Sequence, residues 1–595
     1  SGSRSADTFY IGGKVVTHAD QMVGWLRDLG YTHCFFVSGG NSMHLLNAAR
    51  QKMVCIPVVH EVSAGIAAEY FNESNLSKGK AFVLVTAGPG LTNLVTALAG
   101  AYLESRELLV LGGQVKSSDL ANKGLRQRGI QEVDGVAIAK AVAKSVKRIE
   151  RPMAISDFCH LVNSGSTGRK GPVFLEVCLD AQGAPALVEE GETDIQGKAD
   201  FVSGEVDEKS VDKILDLLAK SERPVFLIGG GISRNQFNSR IPEVDRLGVP
   251  VMTTWNAADR LGANHRLYFG RPNTWGQRSS NLILQNADLV IALGTRLGLQ
   301  QTGFNWAEFV PNGDVVQVDI DRTELEKGHP KVSLAIRADG NALLQQLLKR
   351  ASARSSWSKW LSFAKKIRDQ IPLSEEVNGY FPGFLNPYDF ALQLSDLCDS
   401  GDTVVPCSSG GGFTVMMQAF NQKQGQVIIT NKGLASMGYG LAGAIGAGLA
   451  DQSRRTVLVE GDGGFSQNLQ ELATVDVQKL NLKIFIFANN GYASIRMTQK
   501  NYFDGAYLGC DVESGLGFPD WQLLAKAFGI RSLTLGEDFA TNENFLSEWN
   551  SAEACLFVVP IHPEQTYFPK ILSQVTASGG MESAPLHKMS PPLED

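Results

Sequence analysis

Two apolar runs, each closing on a cluster of small and polar residues, constrain this chain more than any other feature. Thr456-Val457-Leu458-Val459-Glu460 ends in Gly461-Asp462-Gly463-Gly464, and Lys483-Ile484-Phe485-Ile486-Phe487-Ala488 ends in Asn489-Asn490-Gly491. Phe465 to Lys479 between them is of helix length, so the segment reads strand–helix–strand. Parallel strands in such a unit bring their carboxyl ends to one edge of the sheet, where ligands bind. Asp462 and Asn489 are therefore expected to converge, one offering a carboxylate and the other an amide oxygen. Hard oxygen ligands of mixed charge suit a Mg2+ ion that keeps part of its shell for a diphosphate. The flanking glycines let backbone N–H groups approach the phosphates closely.

The same alternation of buried strands and helical stretches runs through the chain, which at 595 residues is too long for one core. A first block, 10–185, carries runs at Cys34–Val37, Cys55–Val59, Ala81–Thr86, Leu108–Leu111 and Val173–Val177. A second, 205–350, carries Val225–Ile228, Val249–Thr253, Leu289–Leu293 and Val315–Val318. A third, 380–562, adds Thr403–Pro406, Val427–Thr430 and Leu556–Ile561 to the two runs above. Near-continuous apolar strands are buried on both faces, so the fold class is α/β, with three doubly wound parallel-sheet domains. Gln182 to Val206 and Ala351 to Asn378 read as polar linkers, and 563–595 as an extended tail rich in Ser, Pro and Gly.

Bulk properties exclude several function classes. A net charge of −7 offers no basic footprint for nucleic acid, and no apolar run reaches the roughly eighteen residues that a membrane span needs. The polar residues Ser1 to Asp7 lack a secretory signal, and the eight cysteines form no CxxC pair. Reduced thiols and a cytoplasmic location are the expectation.

His60-Glu61 follows another strand, with Ser63, Ala64, Gly65, Ala67 and Ala68 allowing close helix packing. By local sequence alone Glu61 reads as a helix-start carboxylate favoured by the dipole. Cys407-Ser408-Ser409-Gly410-Gly411-Gly412 precedes a helix and could hold phosphate through backbone amides and hydroxyls.

Gly-Asp-Gly followed at this spacing by Asn-Asn resembles the thiamine diphosphate signature. The resemblance implies that Asp462, Asn489 and the Gly491 carbonyl hold Mg2+, and that Gly461, Gly463, Gly464, Ser408, Ser409, Gly410 and Gly411 surround the diphosphate. Glu61 matches the glutamate that hydrogen-bonds the aminopyrimidine ring and promotes the tautomer taking the thiazolium C2 proton. Lys432-Gly433-Leu434-Ala435-Ser436-Met437-Gly438 resembles the segment under the bent cofactor, Met437 being the apolar wedge and Ala435 the carbonyl facing the exocyclic amine. Family members pair the glutamate and diphosphate sites across subunits, which implies a homodimer or homotetramer with interfacial active sites.

Thr86-Ala87-Gly88-Pro89-Gly90-Leu91-Thr92-Asn93 and Gly112-Gly113-Gln114-Val115 are similar to acetolactate synthases and pyruvate oxidases over nearly the whole chain. That branch implies Gln114 near the thiazolium, with Gln131-Glu132 and Lys144 at the approach. The paired histidines of pyruvate decarboxylases are absent between Lys116 and Arg128. Gly229-Gly230-Gly231, Gly294-Thr295-Arg296 and Asp319 resemble flavin contacts and imply FAD in a structural role, although Leu297-Gly298-Leu299-Gln300-Gln301 lacks the Asp and Arg pattern of acetolactate synthases. Gln499 stands where those enzymes carry a tryptophan, which implies a roomier, more polar acceptor pocket, as in carboligases that form branched sugars of the yersiniose kind. The expected activity is a thiamine diphosphate- and Mg2+-dependent carboligation of pyruvate with a carbonyl acceptor. The alternatives are a 2-oxo acid decarboxylase or cyclic 1,2-dione hydrolase on the same scaffold and, from another class, a cofactor-binding subunit without catalysis.

Overall fold

The structure, a computed structural model, describes residues 10–11, 14–122, 124–187 and 206–593. Each block folds around its own parallel sheet. The first holds Tyr31–Phe36, Val54–Pro57, Lys80–Val85, Leu108–Gln114, Ser145–Ile149 and Pro172–Cys178, in spatial order second, first, third, fourth, sixth, fifth. The third block repeats that order with Thr403–Val405, Val427–Ile428, Thr456–Gly461, Leu482–Ala488, Arg531–Thr534 and Cys555–Pro560. The middle sheet runs second, first, third, fourth, fifth through Pro224–Ile228, Val251–Thr253, Leu289–Leu293, Asp314–Asp319 and Leu334–Arg337. In all three the order reverses between the first and third strands, and the crevice at that reversal is where such folds bind ligands.

Two antiparallel ribbons, Tyr10–Ile11 with Lys14–Val15 and Ser573–Val575 with Met581–Ser583, lie outside these sheets.

Several expectations change. Each sheet gains an edge strand that the sequence reading lacks: Ser145–Ile149, Leu334–Arg337 and Arg531–Thr534. The polar stretch 351–378 contains a helix, Trp357–Gln370, whose Trp357, Trp360 and Ala364 are buried on the middle domain. The indole N–H groups of Trp357 and Trp360 donate to the Ser221 and Pro224 carbonyls, which turns an apparent linker into a buttress. Phe465 to Lys479 is not one helix but short pieces at Asp462–Phe465, Leu469–Glu471 and Leu472–Val477. Most of the linker from Gln182 to Val206, namely 188–205, lies outside the described residues, as do Ser1 to Asp7.

The first and third domains meet through the helices Glu61–Ser74 and Tyr439–Ala450. Gly446 lets the backbones touch: a Cβ there would fall 2.0 Å from the Ala67 carbonyl oxygen. Beside this contact the Arg106 guanidinium donates to Glu69 (2.7 Å) and to the Thr430 carbonyl (2.6 Å). Asn431 and Tyr439 donate to the same Glu69 carboxylate. The third domain also fixes the turn before Glu61, because the Glu471 carboxylate accepts the N–H groups of Val59 (3.1 Å) and His60 (3.0 Å).

The tail packs against the middle domain. Asn281 and Arg278 donate to the carbonyls of Leu586 and Met589, and Leu586 joins the middle-domain core. Among the described residues no helix is long and apolar enough to cross a membrane, and all eight cysteines are free.

Candidate functional site

The third sheet delivers Asp462 and Asn489 to one edge, as the strand–helix–strand reading requires. Asp462 is buried and accepts the N–H groups of Gly463 (2.7 Å), Asn489 (3.0 Å) and Asn490 (2.7 Å). Burial pushes its carboxyl up to about 7 against those donors. The Asn489 amide oxygen accepts Gly491 N–H at 3.1 Å. Across the reversal in strand order, the helix Gly410–Ala419 starts at Ser409 with no side-chain cap, so its first N–H groups are open to an anion. The Ser408 hydroxyl donates to the Ser436 carbonyl and ties this turn to the Lys432–Gly438 segment, where Ala435 has φ of +53° and Met437 is exposed.

A cavity of about 220 Å3 opens over this edge. Ser408, Ser409, Gly410, Gly411 and Ala435 line it, together with Ser494 and Met497 from the helix Ala493–Tyr502. Its other walls are Lys432 and Thr414, Tyr567 from the tail, and Trp255, Trp275, Gln300 and Phe413, to which sequence reasoning gave no role in this site. Tyr567 is buried with its hydroxyl beside Asn489, and its ring lies 2.8 Å from where a Cβ on Gly411 would stand. The repeated Trp and Tyr near turn residues were the only sequence signal for these walls.

Gln499 is not among the lining residues. Three and four residues apart on a helix share a face, and Ser494 and Met497 take the one toward the cavity. The Gln499 amide instead donates to the Leu508 carbonyl (3.1 Å) and accepts Leu508 N–H (2.9 Å). It staples the helix to the following loop, so the inference about an acceptor pocket cannot rest on this residue.

The first domain presents Glu61 at the start of the helix Glu61–Ser74, capped by the His60 imidazole. Glu61 is 8% exposed and accepts a hydrogen bond from Asn93 at 3.0 Å. Gln114 reaches the same sheet edge but is fully buried, donating to Val133 O and accepting Val115 N–H, each at 2.9 Å. The neighbouring loop is held by Glu132, whose carboxylate accepts N–H groups from Ala121, Arg128 and Gly129. Lys144 is misplaced by the sequence reading. It precedes the edge strand Ser145–Ile149, pairs its N–H with Pro172 O, and bonds the Thr167 carbonyl through Nζ. In a parallel sheet that is the amino edge, opposite Glu61 and Gln114.

A second cavity, about 680 Å3, lies where the middle domain faces the other two. Gly230, Gly231, Gly294, Thr295, Arg296 and Asp319 line it, at the middle sheet's own reversal. Gly229 sits behind them, where a Cβ would meet the Gly294 carbonyl oxygen at 2.3 Å. The Asn256 amide oxygen is buried there without a partner, and burial pushes the Asp319 carboxyl up.

Family models of thiamine pyrophosphate enzymes match all three domains: the N-terminal TPP binding domain at 16–138, the central domain at 211–347 and the C-terminal TPP binding domain at 409–552. Among curated proteins, the acetolactate synthase isozyme 1 large subunit of Escherichia coli (strain K12) is 29% identical over 570 residues, 94% of this chain and 96% of that one. The acetolactate synthase large subunit of Lactococcus lactis subsp. lactis (strain IL1403) is 28% identical, covering 86% of both chains. Probable acetolactate synthase 2, chloroplastic, of Oryza sativa subsp. japonica is 28% identical over 86% of this chain and 78% of its own. With three domain models in order over most of its length, the chain belongs to the thiamine pyrophosphate enzymes, is similar nearly end to end to acetolactate synthase large subunits, and is an enzyme of carbon–carbon bond chemistry.

Proposed function

We propose that this chain is a Mg2+-dependent carboligase that takes pyruvate as donor and passes its two-carbon unit to the carbonyl of a ketone or 2-oxo acid. The observation that carries the reading is the buried Asp462 carboxylate beside Asn489, together with the uncapped helix start at Gly410. One carboxylate, one amide oxygen and the Gly491 carbonyl make a donor set of low charge that suits Mg2+ bound jointly with a diphosphate. Bound thiamine diphosphate supplies the nucleophilic carbon and the electron sink for decarboxylation. Glu61, oriented by Asn93, would exchange a proton with the aminopyrimidine ring, while the apolar walls Trp255, Trp275, Phe413 and Met497 would exclude water from the cavity.

Glu61 does not line the diphosphate-side cavity of its own chain. The proposed assembly, a homodimer or homotetramer, places it over a partner's cavity. The exposed apolar side chains Met43, Val59 and Ile130 in the first domain and Ile495 in the third support a subunit contact. The middle cavity is proposed to hold FAD in a structural role, with the glycine turn and Arg296 at its diphosphate. Flavin absorbance of the purified protein near 450 nm, on the order of one flavin per chain, checks this assignment.

The acceptor is proposed to be larger and more polar than pyruvate, extending to nucleotide-linked keto-sugars, because Trp255 and Trp275 offer aromatic faces beside the amide of Gln300. Mass spectrometry of products from pyruvate, alone and with a ketone panel, tests the activity. Coupled products are expected; acetaldehyde alone would identify a decarboxylase, and cleavage of cyclic 1,2-diones a hydrolase. For the metal, Asp462→Ala is expected to weaken Mn2+ binding by more than roughly a hundredfold, read by electron paramagnetic resonance.

A further inference from the structure

Val54–Pro57 is an edge strand of the first sheet, paired only with Tyr31–Phe36. Cys34 and Cys55 are register partners in this parallel pair. Both face the same side of the sheet, Cys34 inside the core cluster covered by the helices His18–Asp28 and Met43–Lys52, and Cys55 at its margin. Neighbouring strands lie about 4.8 Å apart, which puts register partners inside the roughly 4.4–6.8 Å between Cα atoms that a disulfide spans. The two thiols also interact. A hydrogen bond with Cys34 draws the Cys55 thiol down from its ordinary range, while burial pushes the Cys34 thiol up. Cys55 is half-buried and the other seven cysteines are buried, so solvent reaches one member of the pair.

A partly exposed thiol with thiolate character, backed by a buried second thiol, is suited to oxidation at the first sulfur and resolution by the second. We propose that Cys34 and Cys55 form a peroxide-oxidisable dithiol, a modification site whose closure to a disulfide shifts the turn carrying Glu61. The Cys55 thiolate attacks one peroxide oxygen, the O–O bond breaks, and hydroxide leaves with the electron pair, so that Cys55 becomes a sulfenic acid. Cys34 Sγ then attacks Cys55 Sγ, the S–O bond breaks, and the departing oxygen leaves as water with the Cys34 proton. Two thiols are thereby oxidised by two electrons in total, and the peroxide is reduced to two waters once the hydroxide takes the proton that Cys55 gave up. A small dithiol reverses the bond by exchange. The strand leads directly to Glu61: Val58 N–H donates to Phe36 O at 3.1 Å, and the Val59 and His60 N–H groups bond the Glu471 carboxylate. Drawing Cys55 onto Cys34 pulls this run from its start. The effect on Glu61 rests on the carboligase reading; the disulfide does not.

The test treats full-length protein, loaded with thiamine diphosphate and Mg2+, with a few equivalents of hydrogen peroxide. Remaining thiols are blocked with N-ethylmaleimide in denaturant before digestion. Trypsin leaves the two cysteines on separate peptides, 28–50 and 53–78. Wild type is expected to give these peptides joined, and dithiothreitol to part them. Cys34→Ala keeps the reachable thiol without its partner and is expected to stop at a Cys55 sulfenic acid that dimedone traps. Cys55→Ser is expected to show neither product. Exchange of the cofactor C2 proton is expected to slow at least about tenfold in oxidised wild type, as misplacement of a positioned group dictates, to recover with dithiothreitol, and to ignore peroxide in Cys55→Ser. The proposal is overturned if peroxide leaves both thiols open to N-ethylmaleimide, or carries Cys55 to sulfonic acid with no joined peptides. It is overturned equally if the joined peptides form and C2 exchange is unchanged. Failure to take up thiamine diphosphate at all would remove the carboligase reading and leave the peptide result standing.

Discussion

Glu61→Gln is expected to slow exchange of the thiazolium C2 proton by about 10²–10⁴-fold, the range set by removing a positioned acid–base group. Glutamine keeps the shape of the side chain and a partner for Asn93, so binding of the cofactor and the folded state are retained. The readout is deuterium exchange at C2 followed by proton NMR after acid quench, which isolates this step from acceptor chemistry. Exchange at the wild-type rate would remove Glu61 from the mechanism. Because Glu61 is proposed to act on a partner's cavity, mixing Glu61→Gln with Asp462→Ala chains is expected to restore some active sites. Neither variant alone does so.

Arg106→Ala should produce the largest loss of stability. The guanidinium and Glu69 are both almost fully buried between the first and third domains, 7% and 0% exposed in their side chains. Truncating the arginine leaves Glu69 charged in a desolvated site, with only Asn431 and Tyr439 as donors. The expected cost is about 3–5 kcal/mol, visible as a lower midpoint in chemical denaturation and as easier separation of these two domains. Glu69→Gln combined with Arg106→Met should recover part of it, since removing both charges leaves neither uncompensated. A single substitution with an unchanged midpoint would show that the pair contributes little to domain packing.

How much of this was legible depends on burial. The strands that carry Asp462 and Asn489 are covered on both faces, so their sequence is a continuous apolar run and their ends are marked by Gly and Asn. Their convergence followed from strand direction alone. The three edge strands escaped because one side of each meets solvent or a loop. Lys147 and Arg148 interrupt Ser145–Ile149, Arg337 closes Leu334–Arg337, and Arg531 opens Arg531–Thr534. Lys144 was read in the right neighbourhood but at the wrong edge, because the strand after it was not recognised and its direction could not be assigned. Gln499 failed for a different reason. Helical phase sends Met497 inward, and the loop that claims the glutamine amide has no sequence pattern. The cavity walls Trp255, Trp275 and Tyr567 come from segments some 300 residues apart, and only the folded chain brings them together.

The strap formed by the last described residues has a consequence for how the molecule is made. Leu586 fills part of the middle-domain core beside Val225 and Leu227, and Asn281 and Arg278 donate to the carbonyls of Leu586 and Met589. Synthesis proceeds from the amino end, so the central domain leaves the ribosome with that seam still open. It closes only when Leu586 and Met589 emerge. The middle domain is therefore finished only after the whole of the third domain, which follows it in sequence, has been made.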